Sequence, residues 1–394
     1  MEPTIKQLVL KRFRSIPSER ITFDNPTIFV GRNGSGKSNL VSAFSFLADA
    51  MASPLQAVFD KAGGISTVRN RTSGRSYPPN LGLRVDFGRL NGKASSGFYA
   101  FEVRALKNYG FSVVREQCSV GSAWFDRIGT KFTSNVGGMK PSLDPSSLSL
   151  PLVGGEAKFA PVLRTLASMR VYSIEPGKLR EMQDPDSGTS LKPDGSNVTS
   201  VLKEIERQSD RDFERISDIL ATIVPNTKQV EVKKHGKNLS LEFTQEWGER
   251  KRLKFEGFSM SDGTLRAIGM LAAVFQRPVP SLIAVEEPEA TIHPGALESV
   301  LDLLRHASKH MQVVITTHSP ELLDAKWITD QHLRIVEWTE GATRVAPVSD
   351  ATRKALHDHL MGAGELLRSN ALDPASLFDH EEKLMQGELF EDFA

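Results

Sequence analysis

One eight-residue stretch near the start of the chain restricts the fold more than any other part of the sequence. Residues 31–38 read Gly-Arg-Asn-Gly-Ser-Gly-Lys-Ser and match the pattern G-x-x-x-x-G-K-[ST]. An apolar segment, residues 27–30, precedes it and has the composition of a buried strand. Residues 37–51 follow with apolar side chains at helical spacing. A strand, a glycine-rich turn and a helix in this order predict a phosphate-binding loop.

The chemistry of phosphate binding accounts for the residue types in this loop. Glycines allow backbone N–H groups to approach phosphate oxygens, and the helix N-terminus adds the positive end of its dipole. Lys37 is expected to neutralise the β- and γ-phosphates of a nucleotide, and Ser38 to ligate Mg²⁺. The candidate nucleotide-binding residues of the loop are Gly31, Asn33, Gly34, Ser35, Gly36, Lys37, Ser38 and Asn39.

A second group of candidates follows a short apolar run in the last third of the chain. Residues 282–285 read as a buried strand, and Glu286, Glu287, Pro288 and Glu289 come directly after it. Ligands of open α/β sheets bind at the carboxyl ends of the strands. One carboxylate can reach a Mg²⁺ ion and its neighbour can orient or deprotonate a water. The alternative is an acidic surface turn, and Glu289 is as consistent with a solvated position as with a functional one.

Two further segments carry polar residues at predicted element ends. Residues 313–316 form an apolar strand that leads into Thr317 and His318, and an imidazole there can hydrogen-bond a phosphate or a water. Ser261 and Gly263 precede a predicted helix, where a hydroxyl and a helix N-terminus bind anions. An ordinary N-cap serine followed by a turn glycine explains the same spacing, and spacing alone does not separate the two.

Composition excludes several other kinds of protein. The chain has 394 residues with 49 basic and 48 acidic side chains, so its net charge provides no overall attraction to nucleic acid. A single cysteine, Cys118, excludes an internal disulfide and a multi-cysteine metal site. No apolar run approaches the ~20 residues needed to span a bilayer, and residues 1–4 do not resemble a secretory signal. A cytoplasmic location without membrane contact is expected.

The pattern of elements suggests one large domain with a short appendage. Residues 1–350 are assigned to the domain, with a helical insertion at about 176–226 and a glycine- and serine-rich surface loop at 134–155. Residues 351–394 are assigned to a C-terminal helix and a solvated or partner-docking acidic tail.

Several individual elements are predicted from periodicity and turn signals. Leu40, Phe44, Leu47 and Met51 should share one face of the helix after the phosphate loop. The other predicted segments are one helix at 198–224, two strands within 229–255 with turns at 235–236 and 247–248, helices at 263–276, 294–310 and 355–369, strands at 282–285 and 312–316, and a hairpin of 332–338 with 343–348.

Taken together, the motifs resemble those of the ABC-type ATPase heads of the RecF, SMC and Rad50 group. They resemble above all the stand-alone RecF-like ATPases related to the head of the overcoming-lysogenisation-defect nucleases. The resemblance covers residues 5–370. It rests on Phe13-Arg14-Ser15, the phosphate loop, residues 194–197, the serine motif, Glu286–Glu289 with His293-Pro294, and residues 317–320.

This resemblance implies a fold and a mechanism. The fold is an α/β P-loop NTPase of ABC type, with a mixed or parallel core sheet, an antiparallel β subdomain and a helical insertion. ATP and Mg²⁺ are the implied cofactors, and ATP closes a head-to-tail pair of subunits. By the same resemblance Ser261 and Gly263 act in trans, Glu286 assists Mg²⁺, Glu287 is the general base, His318 senses the γ-phosphate and Arg14 contacts nucleotide.

Three departures from the ABC pattern accompany the resemblance. Asp262 stands in the serine motif where ABC transporters have glycine, which adds a negative charge near the γ-phosphate. Glu286 replaces the commoner aspartate. No glutamine-loop residue is assigned, and Gln56 and Gln117 are the two weak candidates. Slow hydrolysis is therefore expected.

The resemblance leaves the biological role open between two classes. In the first, a homodimer or higher oligomer acts as a switch, sensor or scaffold for a separate nuclease or toxin in antiphage defence. In the second, it is an ATPase clamp on double-stranded DNA in repair or recombination. Basic residues at 11–14, at Arg69, Arg71 and Arg75, and within 228–254 are the candidate DNA contacts, with solvated surface as the alternative. A transporter ATPase is disfavoured by the altered serine motif.

Overall fold

The computed structural model of the chain describes residues 4–70, 80–90, 93–107, 110–247, 251–375 and 389–393. The chain divides into two compact units. The first unit comprises residues 1–169, 329–361 and 369–394, and the second comprises residues 170–328 and 362–368.

The strands of the described residues are, in chain order, β1 (Ile5–Phe13), β2 (Ile16–Thr22), β3 (Thr27–Val30), β4 (Asn80–Leu90), β5 (Lys93–Ala105), β6 (Phe111–Val120), β7 (Ala123–Ile128), β8 (Lys131–Ser134), β9 (Arg170–Tyr172), β10 (Thr227–His235), β11 (Asn238–Trp247), β12 (Lys251–Glu256), β13 (Leu282–Glu286), β14 (Gln312–Thr317), β15 (Leu333–Thr339) and β16 (Ala342–Pro347).

The helices of the same residues are α1 (Lys37–Ala52), α2 (Leu55–Lys61), α3 (Ile65–Val68), α4 (Leu150–Val153), α5 (Ala160–Ala167), α6 (Pro176–Arg180), α7 (Val198–Gln208), α8 (Asp210–Ile223), α9 (Asp262–Phe275), α10 (Pro294–Ala307), α11 (Pro320–Leu323), α12 (Asp350–His357) and α13 (Ala363–Arg368). None of these helices is both long enough and apolar enough to cross a membrane.

The first unit contains an antiparallel sheet and a smaller mixed arrangement of strands. The antiparallel sheet has the order β2-β1-β4-β5-β6-β7-β8. In the mixed arrangement β15 pairs in parallel with β3 and antiparallel with β16. All four residues of β3 are buried, which fits the apolar sequence that predicted it.

Helix α1 begins directly after the phosphate loop and packs against α5. The residues predicted to share one face, Leu40, Phe44, Leu47 and Met51, are all buried, which confirms that prediction. Phe46 extends the packed surface, with its ring centroid 5.8 Å from that of Phe13. The apolar face of the helix therefore holds the end of the phosphate loop against the interior of the unit.

The second unit contains parallel strands joined by helices. Strand β13 pairs in parallel with β14 on one side and with β9 on the other. The bounds of α9, β13, α10 and β14 confirm the alternation predicted for residues 263–316. A separate antiparallel sheet of this unit has the order β10-β11-β12. The parallel strand pairs, the helices between them and the antiparallel sheets together confirm the predicted α/β class.

Three element predictions were wrong in detail. The helix predicted for 198–224 is two helices, because the Ser209 hydroxyl accepts a hydrogen bond from the Asp212 N–H and starts α8 there. Residues 227–256 form three strands rather than two, joined at 235–238 and near Trp247, with 248–250 outside the described residues. The helix predicted for 355–369 is also two, α12 and α13, and His359 between them has a left-handed φ of 52°.

The predicted surface loop at 134–155 is more ordered than its composition suggests. It contains α4, and Leu148, Leu150 and Val153 are buried. The carboxylate of Glu116, which is fully buried, accepts the backbone N–H groups of Ser149 and Leu150. The guanidinium of Arg127, also fully buried, donates to loop carbonyls, and its Nη1 lies 3.9 Å from the carboxylate of Glu116. These two charged side chains anchor the loop. The glycine- and serine-rich composition of the loop gave no indication of them.

The acidic tail also differs from a solvated one. Residues 376–388 lie outside the described part, but Leu389 is buried and Glu391 is hydrogen-bonded to side chains of the antiparallel sheet. Apolar residues among the acidic ones explain the difference. Burial of the side chains of Leu389, Phe390 and Phe393 gives a favourable free energy that a tail of charged residues alone would lack.

Glu19 on β2 is a buried carboxyl group whose protonation should affect stability. It is 2% exposed, and its Oε2 accepts a hydrogen bond of 3.3 Å from the Val345 N–H. Burial, partly offset by that bond and by Arg344, raises the pKa of Glu19 to about 7. In the unfolded chain the pKa is near 4.3. The folded state therefore binds this proton more tightly, and the associated stability is lost as pH rises through 7.

We predict that the free energy of unfolding of the wild type falls relative to that of Glu19→Gln as pH is raised from 4 to 8. The expected relative loss is on the order of 3 kcal/mol, from the difference in pKa between the two states. Urea denaturation at several pH values measures it, with the exposed Glu206→Gln as the matched control. Parallel curves for wild type and Glu19→Gln would contradict the assignment.

Candidate active site

The phosphate loop lies in the first unit, between β3 and α1. Gly34 and Gly36 have left-handed φ angles of 78° and 101°, which side chains disfavour. A Cβ atom on Gly31 would overlap the carbonyl oxygen of Val336, and one on Gly36 would overlap the hydroxyl of Thr343. By contrast, nothing lies within 4 Å of the Cβ position of Gly34. Two of the glycines are thus required by packing, and the third leaves open space over the loop.

Side chains of the loop provide polar groups for an anion. Lys37 is buried, and its Nζ donates to the carbonyl oxygens of Gly31 and Arg32 at 2.7 and 3.0 Å. The hydroxyl of Ser35 is buried and has no hydrogen-bond partner among the described residues. Ser38 is exposed in the first turn of α1. A phosphate group over this loop would find a cation, a hydroxyl and the start of a helix together.

Thr343 on β16 ties the loop to distant parts of the same unit. Its hydroxyl donates to the carbonyl of Ser35 at 3.0 Å and lies 2.7 Å from the hydroxyl of Ser15. Asn39, a predicted site residue, donates its side-chain N–H to the same Ser15 hydroxyl at 2.8 Å. Thr343 is fully buried. Sequence reasoning missed this residue, because it lies 308 positions from Ser35.

Arg14 occupies the turn between β1 and β2, beside Ser15. Its φ is 49°, and its backbone is held by a 2.6 Å bond to the Val68 carbonyl and by the side chain of Asn70. The guanidinium Nε is buried without a hydrogen-bond partner in the described structure, and burial lowers the pKa of Arg14. A buried donor of a cation calls for an acceptor. This arrangement favours the predicted contact with an anionic ligand.

In the second unit, the chain turns sharply where β13 ends. Glu286 is the last residue of the strand, and Glu287 has a left-handed φ of 45°. The Glu287 N–H donates to the carbonyl of Thr316 on β14 at 3.0 Å. Glu287 Oε1 lies 3.1 Å from Nδ1 of His318. The structure thus brings together Glu287 and His318, which the sequence placed at the ends of two strands, and it does so with a strained backbone of the kind found at functional sites.

Glu289 faces this cluster rather than solvent. Its Oε1 accepts a 2.5 Å hydrogen bond from the Thr317 hydroxyl, which in turn accepts from the Ser319 N–H at 2.9 Å. Its other oxygen is buried and has no partner among the residues that the structure describes. Burial raises the pKa of Glu289. Glu289 therefore joins the two strand ends that carry Glu287 and His318.

Arg266 on α9 is a member of the same cluster that sequence reasoning missed. Burial lowers the pKa of Arg266, while the charges of Glu287, Asp262 and Glu289 act in the opposite direction. The guanidinium is therefore close enough to these carboxylates to offset part of their mutual repulsion. The available signal was its position five residues after Ser261 in the serine motif.

The serine motif starts α9. Ser261 is exposed, and its hydroxyl accepts a hydrogen bond of 3.2 Å from the Thr264 N–H as the helix N-cap. Asp262 forms a salt bridge with Arg180, which also donates to the carbonyl of Met260 at 3.1 Å. The extra negative charge of Asp262 is thus balanced from α6. Gly263 has no room for a side chain, since its Cβ position is 2.6 Å from the Thr291 carbonyl oxygen.

Two of the predicted site residues carry oxygen donors suited to magnesium. Ser38 and Glu286 offer oxygen atoms, the ligand type that Mg²⁺ prefers. No group of three or more His, Cys, Asp or Glu side chains suited to a metal occurs within the described ranges. Mg²⁺ commonly binds through one or two protein oxygens together with substrate phosphates, so an oxygen from Ser38 of the first unit, or from Glu286 of the second, fits an ion that arrives with a nucleotide.

Both glutamine candidates have side chains that are hydrogen-bonded to other residues of the first unit. The side-chain amide of Gln117 is buried and bonds both the N–H and the carbonyl of Glu391, at 2.9 and 2.7 Å. Gln56 is exposed and donates to Asp60 at 2.8 Å. Both therefore have structural partners within the first unit.

The basic segment at 228–254 carries fewer free charges than its composition suggests. Lys233 and Lys254 both pair with Glu231 and Glu242, while Lys228 and Arg252 pair with Glu246. Arg71 and Arg75 lie outside the described residues. Surface pairs of this kind reduce the positive potential available to DNA phosphates.

Sequence comparison relates the chain to one family model and to a phage protein. The model, described as "AAA domain, putative AbiEii toxin, Type IV TA system", matches residues 27–116 and 180–324. The Old nuclease of Escherichia phage P2 is 20% identical over 417 aligned residues, which cover 98% of this chain and 68% of the nuclease.

Solved structures of SMC heads share the fold. The SMC head bound to the C-winged helix domain of ScpA has a TM-score of 0.56 at 15% identity, covering 89% of this chain and 99% of that one. The Pyrococcus furiosus SMC head with an extended coiled coil, bound to the C-terminal domain of ScpA, also has a TM-score of 0.56, at 13% identity, with 91% and 99% covered. This likeness confirms the predicted ABC-type ATPase head fold. Because the family model matches more than half of the chain, including the phosphate loop and the Glu287 cluster, the protein belongs to this AAA-domain family.

Proposed function

We propose that the chain is an ATP-binding and ATP-hydrolysing RecF-like ATPase that pairs head to tail with a second copy. It hydrolyses ATP slowly and acts as a switch or scaffold for a separate nuclease or toxin in antiphage defence. The observation that carries the proposal is the hydrogen-bonded pair of Glu287 and His318, held on a left-handed turn beside two more strand-end side chains.

The phosphate loop supports ATP binding. Its glycines keep the space above Gly34 open, and Lys37 can exchange its two carbonyl acceptors for phosphate oxygens. Arg14 brings a second cation with a buried, unpartnered Nε. Gly31, Asn33 and the remaining loop residues bind through the backbone, and Ser38 and Glu286 would each offer an oxygen ligand to Mg²⁺. When bound, the ion offsets negative charge on the β- and γ-phosphates.

The Glu287 pair supports hydrolysis. Glu287 is the group that accepts a proton from the attacking water, since its carboxylate is half-exposed and hydrogen-bonded on one oxygen only by His318 among its described partners. His318 orients that carboxylate and senses the γ-phosphate. Glu289, Thr317 and Arg266 hold the two strand ends in position, and Lys37 stabilises charge on the transferred phosphoryl group.

The serine motif supports action in trans. Ser261 is exposed at the N-terminus of α9, so its hydroxyl and Gly263 can face a phosphate held by another copy. Phe258, three residues earlier, is 66% exposed and offers apolar surface beside it. An exposed aromatic next to an exposed helix N-terminus fits a surface that a second subunit covers.

The relatives support a switch that works with a partner. The matched family description names a toxin–antitoxin system, the phage relative is named a nuclease, and the SMC heads were solved with a bound protein, ScpA. ATP-driven pairing of heads changes which surfaces a partner meets. DNA is the alternative partner, but the paired lysines of 228–254 do not favour it.

We predict that Glu287→Gln traps an ATP-bound dimer. Loss of the proton acceptor should lower the hydrolysis rate by about 10²-fold or more, while ATP binding persists. Light scattering with ATP should then show the mass rise from 43.4 kDa to about twice that value. Lys37→Ala is the matched control and should remain monomeric with ATP. A Glu287→Gln protein of unchanged mass that still binds ATP would contradict the dimer.

Mixing two inactive variants tests the trans arrangement separately. We expect Lys37→Ala and Ser261→Arg each to lack ATPase activity alone. In a mixed dimer one of the two sites combines an intact loop with an intact serine, so mixing should restore activity that neither variant has alone, up to half of the wild-type value for each mixed dimer. ATPase assays over a range of mixing ratios measure this. Activity that stays at the sum of the single variants would show that Ser261 acts within its own subunit or not at all.

A further inference from the structure

Residues 389–393, Leu-Phe-Glu-Asp-Phe, lie on the face of the antiparallel sheet in the first unit. We refer to them as the docked segment. Its contacts are made by side chains of β4, β5, β6 and β7, and the proposed ATPase chemistry uses none of them.

Leu389 enters a seat made by a glycine. It is 4% exposed, and a Cβ atom on Gly82 of β4 would overlap its Cδ1. Its carbonyl oxygen accepts a hydrogen bond of 3.2 Å from Arg84 Nη1. The missing side chain at position 82 therefore creates room for one leucine.

Gln117 on β6 recognises the backbone of the docked segment. Its side-chain N–H donates to the Glu391 carbonyl at 2.7 Å, and its side-chain oxygen accepts the Glu391 N–H at 2.9 Å. Arg115 donates to the same carbonyl at 3.2 Å. A buried amide that satisfies both backbone groups of one residue fixes the register of the peptide without depending on that residue's side chain.

Aromatic and charged contacts surround this backbone pair. The ring of Phe393 stacks on Trp124 with centroids 4.7 Å apart and planes at 14°, and Phe390 lies beneath the Arg115 guanidinium at 4.9 Å. The Glu391 carboxylate is 2.5 Å from Arg84 Nη2. The face thus selects a leucine, two aromatic rings and an acidic side chain at fixed spacing.

The docked segment itself is held with little burial. Only Leu389 is buried, Phe390 and Phe393 are half-buried, and Glu391 and Asp392 are exposed. A cleft lined by residues that include Lys6, Phe87 and Ser119 adjoins Glu391. The surface is therefore larger than its present occupant.

We propose that this sheet face is a docking site for extended acidic–aromatic segments of a partner protein, and that residues 389–393 occupy it in cis as an exchangeable ligand. The recognition groups are Gly82, Arg84, Arg115, Gln117 and Trp124. The complementary partner is a peptide segment in which leucine, an aromatic residue, a carboxylate and a second aromatic residue repeat the spacing of Leu389, Phe390, Glu391 and Phe393. The inference does not depend on ATP hydrolysis.

A fluorescein-labelled peptide, Gly-Glu-Leu-Phe-Glu-Asp-Phe, tests the site by anisotropy against the full chain. We expect saturable binding to Leu389→Ala/Phe393→Ala, in which the docked segment is weakened. Binding to the wild type should be about tenfold weaker or more, because the tethered segment competes at an effective concentration on the order of millimolar.

Matched changes identify the surface. Trp124→Ala, added to the double variant, should reduce peptide affinity about tenfold through loss of the stacked ring, whereas Trp338→Ala, which removes an exposed tryptophan of β15, should leave it unchanged. A peptide with alanine in place of its last phenylalanine should bind the double variant about tenfold more weakly than the original peptide does. This comparison changes only the peptide, so the fold of the protein is not affected.

Absence of saturable binding, or equal binding of a scrambled peptide, would overturn the proposal. Light scattering without ATP shows whether the docked segment binds its own chain or a second copy. A wild-type mass that doubles with concentration, and returns to 43.4 kDa in Phe393→Ala, would place the segment on a second copy and overturn its assignment in cis.

Discussion

The packing of the phosphate loop against the hairpin β15–β16 is the constraint on which the first unit's function depends. Gly31 and Gly36 lie so close to the hairpin that no side chain fits, and Thr343 closes the contact with hydrogen bonds to Ser35 and Ser15. A loop that must present its N–H groups to phosphates has few internal bonds of its own. Its shape is therefore imposed by residues more than 300 positions away, and Ser15, next to Arg14, is tied into the same contact.

In the second unit the constraint is the repulsion between several carboxylates that lie at one edge of the sheet. Like charges repel, and together with burial the charge of Glu287 raises the pKa of Glu289. Arg266 offsets the repulsion, and the Thr317 hydroxyl takes one oxygen of Glu289, so that Glu287 is left to pair with His318. The helix that supplies Arg266 also begins with Ser261. The exposed Ser261 and the arginine beside the carboxylates thus belong to one helix.

Short sequence patterns predicted much of this arrangement. Contacts between residues that are far apart in the chain could not be predicted from such patterns. The strand–loop–helix order around Lys37 and the apolar strands before Glu286 and Thr317 are short patterns, and the structure contains them. Thr343 and Arg180 act through partners far away in the chain, which a periodicity search does not connect. The break at Ser209 was missed because an N-cap serine inside an amphipathic stretch looks like any polar position. Of the two alternatives for the tail, solvated or partner-docking, the solvated one does not describe residues 389–393, where the net charge of the segment concealed three apolar residues.

The buried pair of Arg127 and Glu116 limits how this sequence can diverge. Each charge holds part of the loop backbone at 144–150, and each neutralises the other with no exposure to water. Loss of one partner leaves an uncompensated charge at a cost of about 3–5 kcal/mol, a large share of the 5–15 kcal/mol by which a fold of this kind is stable. Single substitutions at either position are therefore strongly destabilising, whereas Gly137 and Gly155, which lie outside the anchored points and are exposed with open space at their Cβ positions, are free to change. The loop can change its sequence over generations without changing where it is fastened.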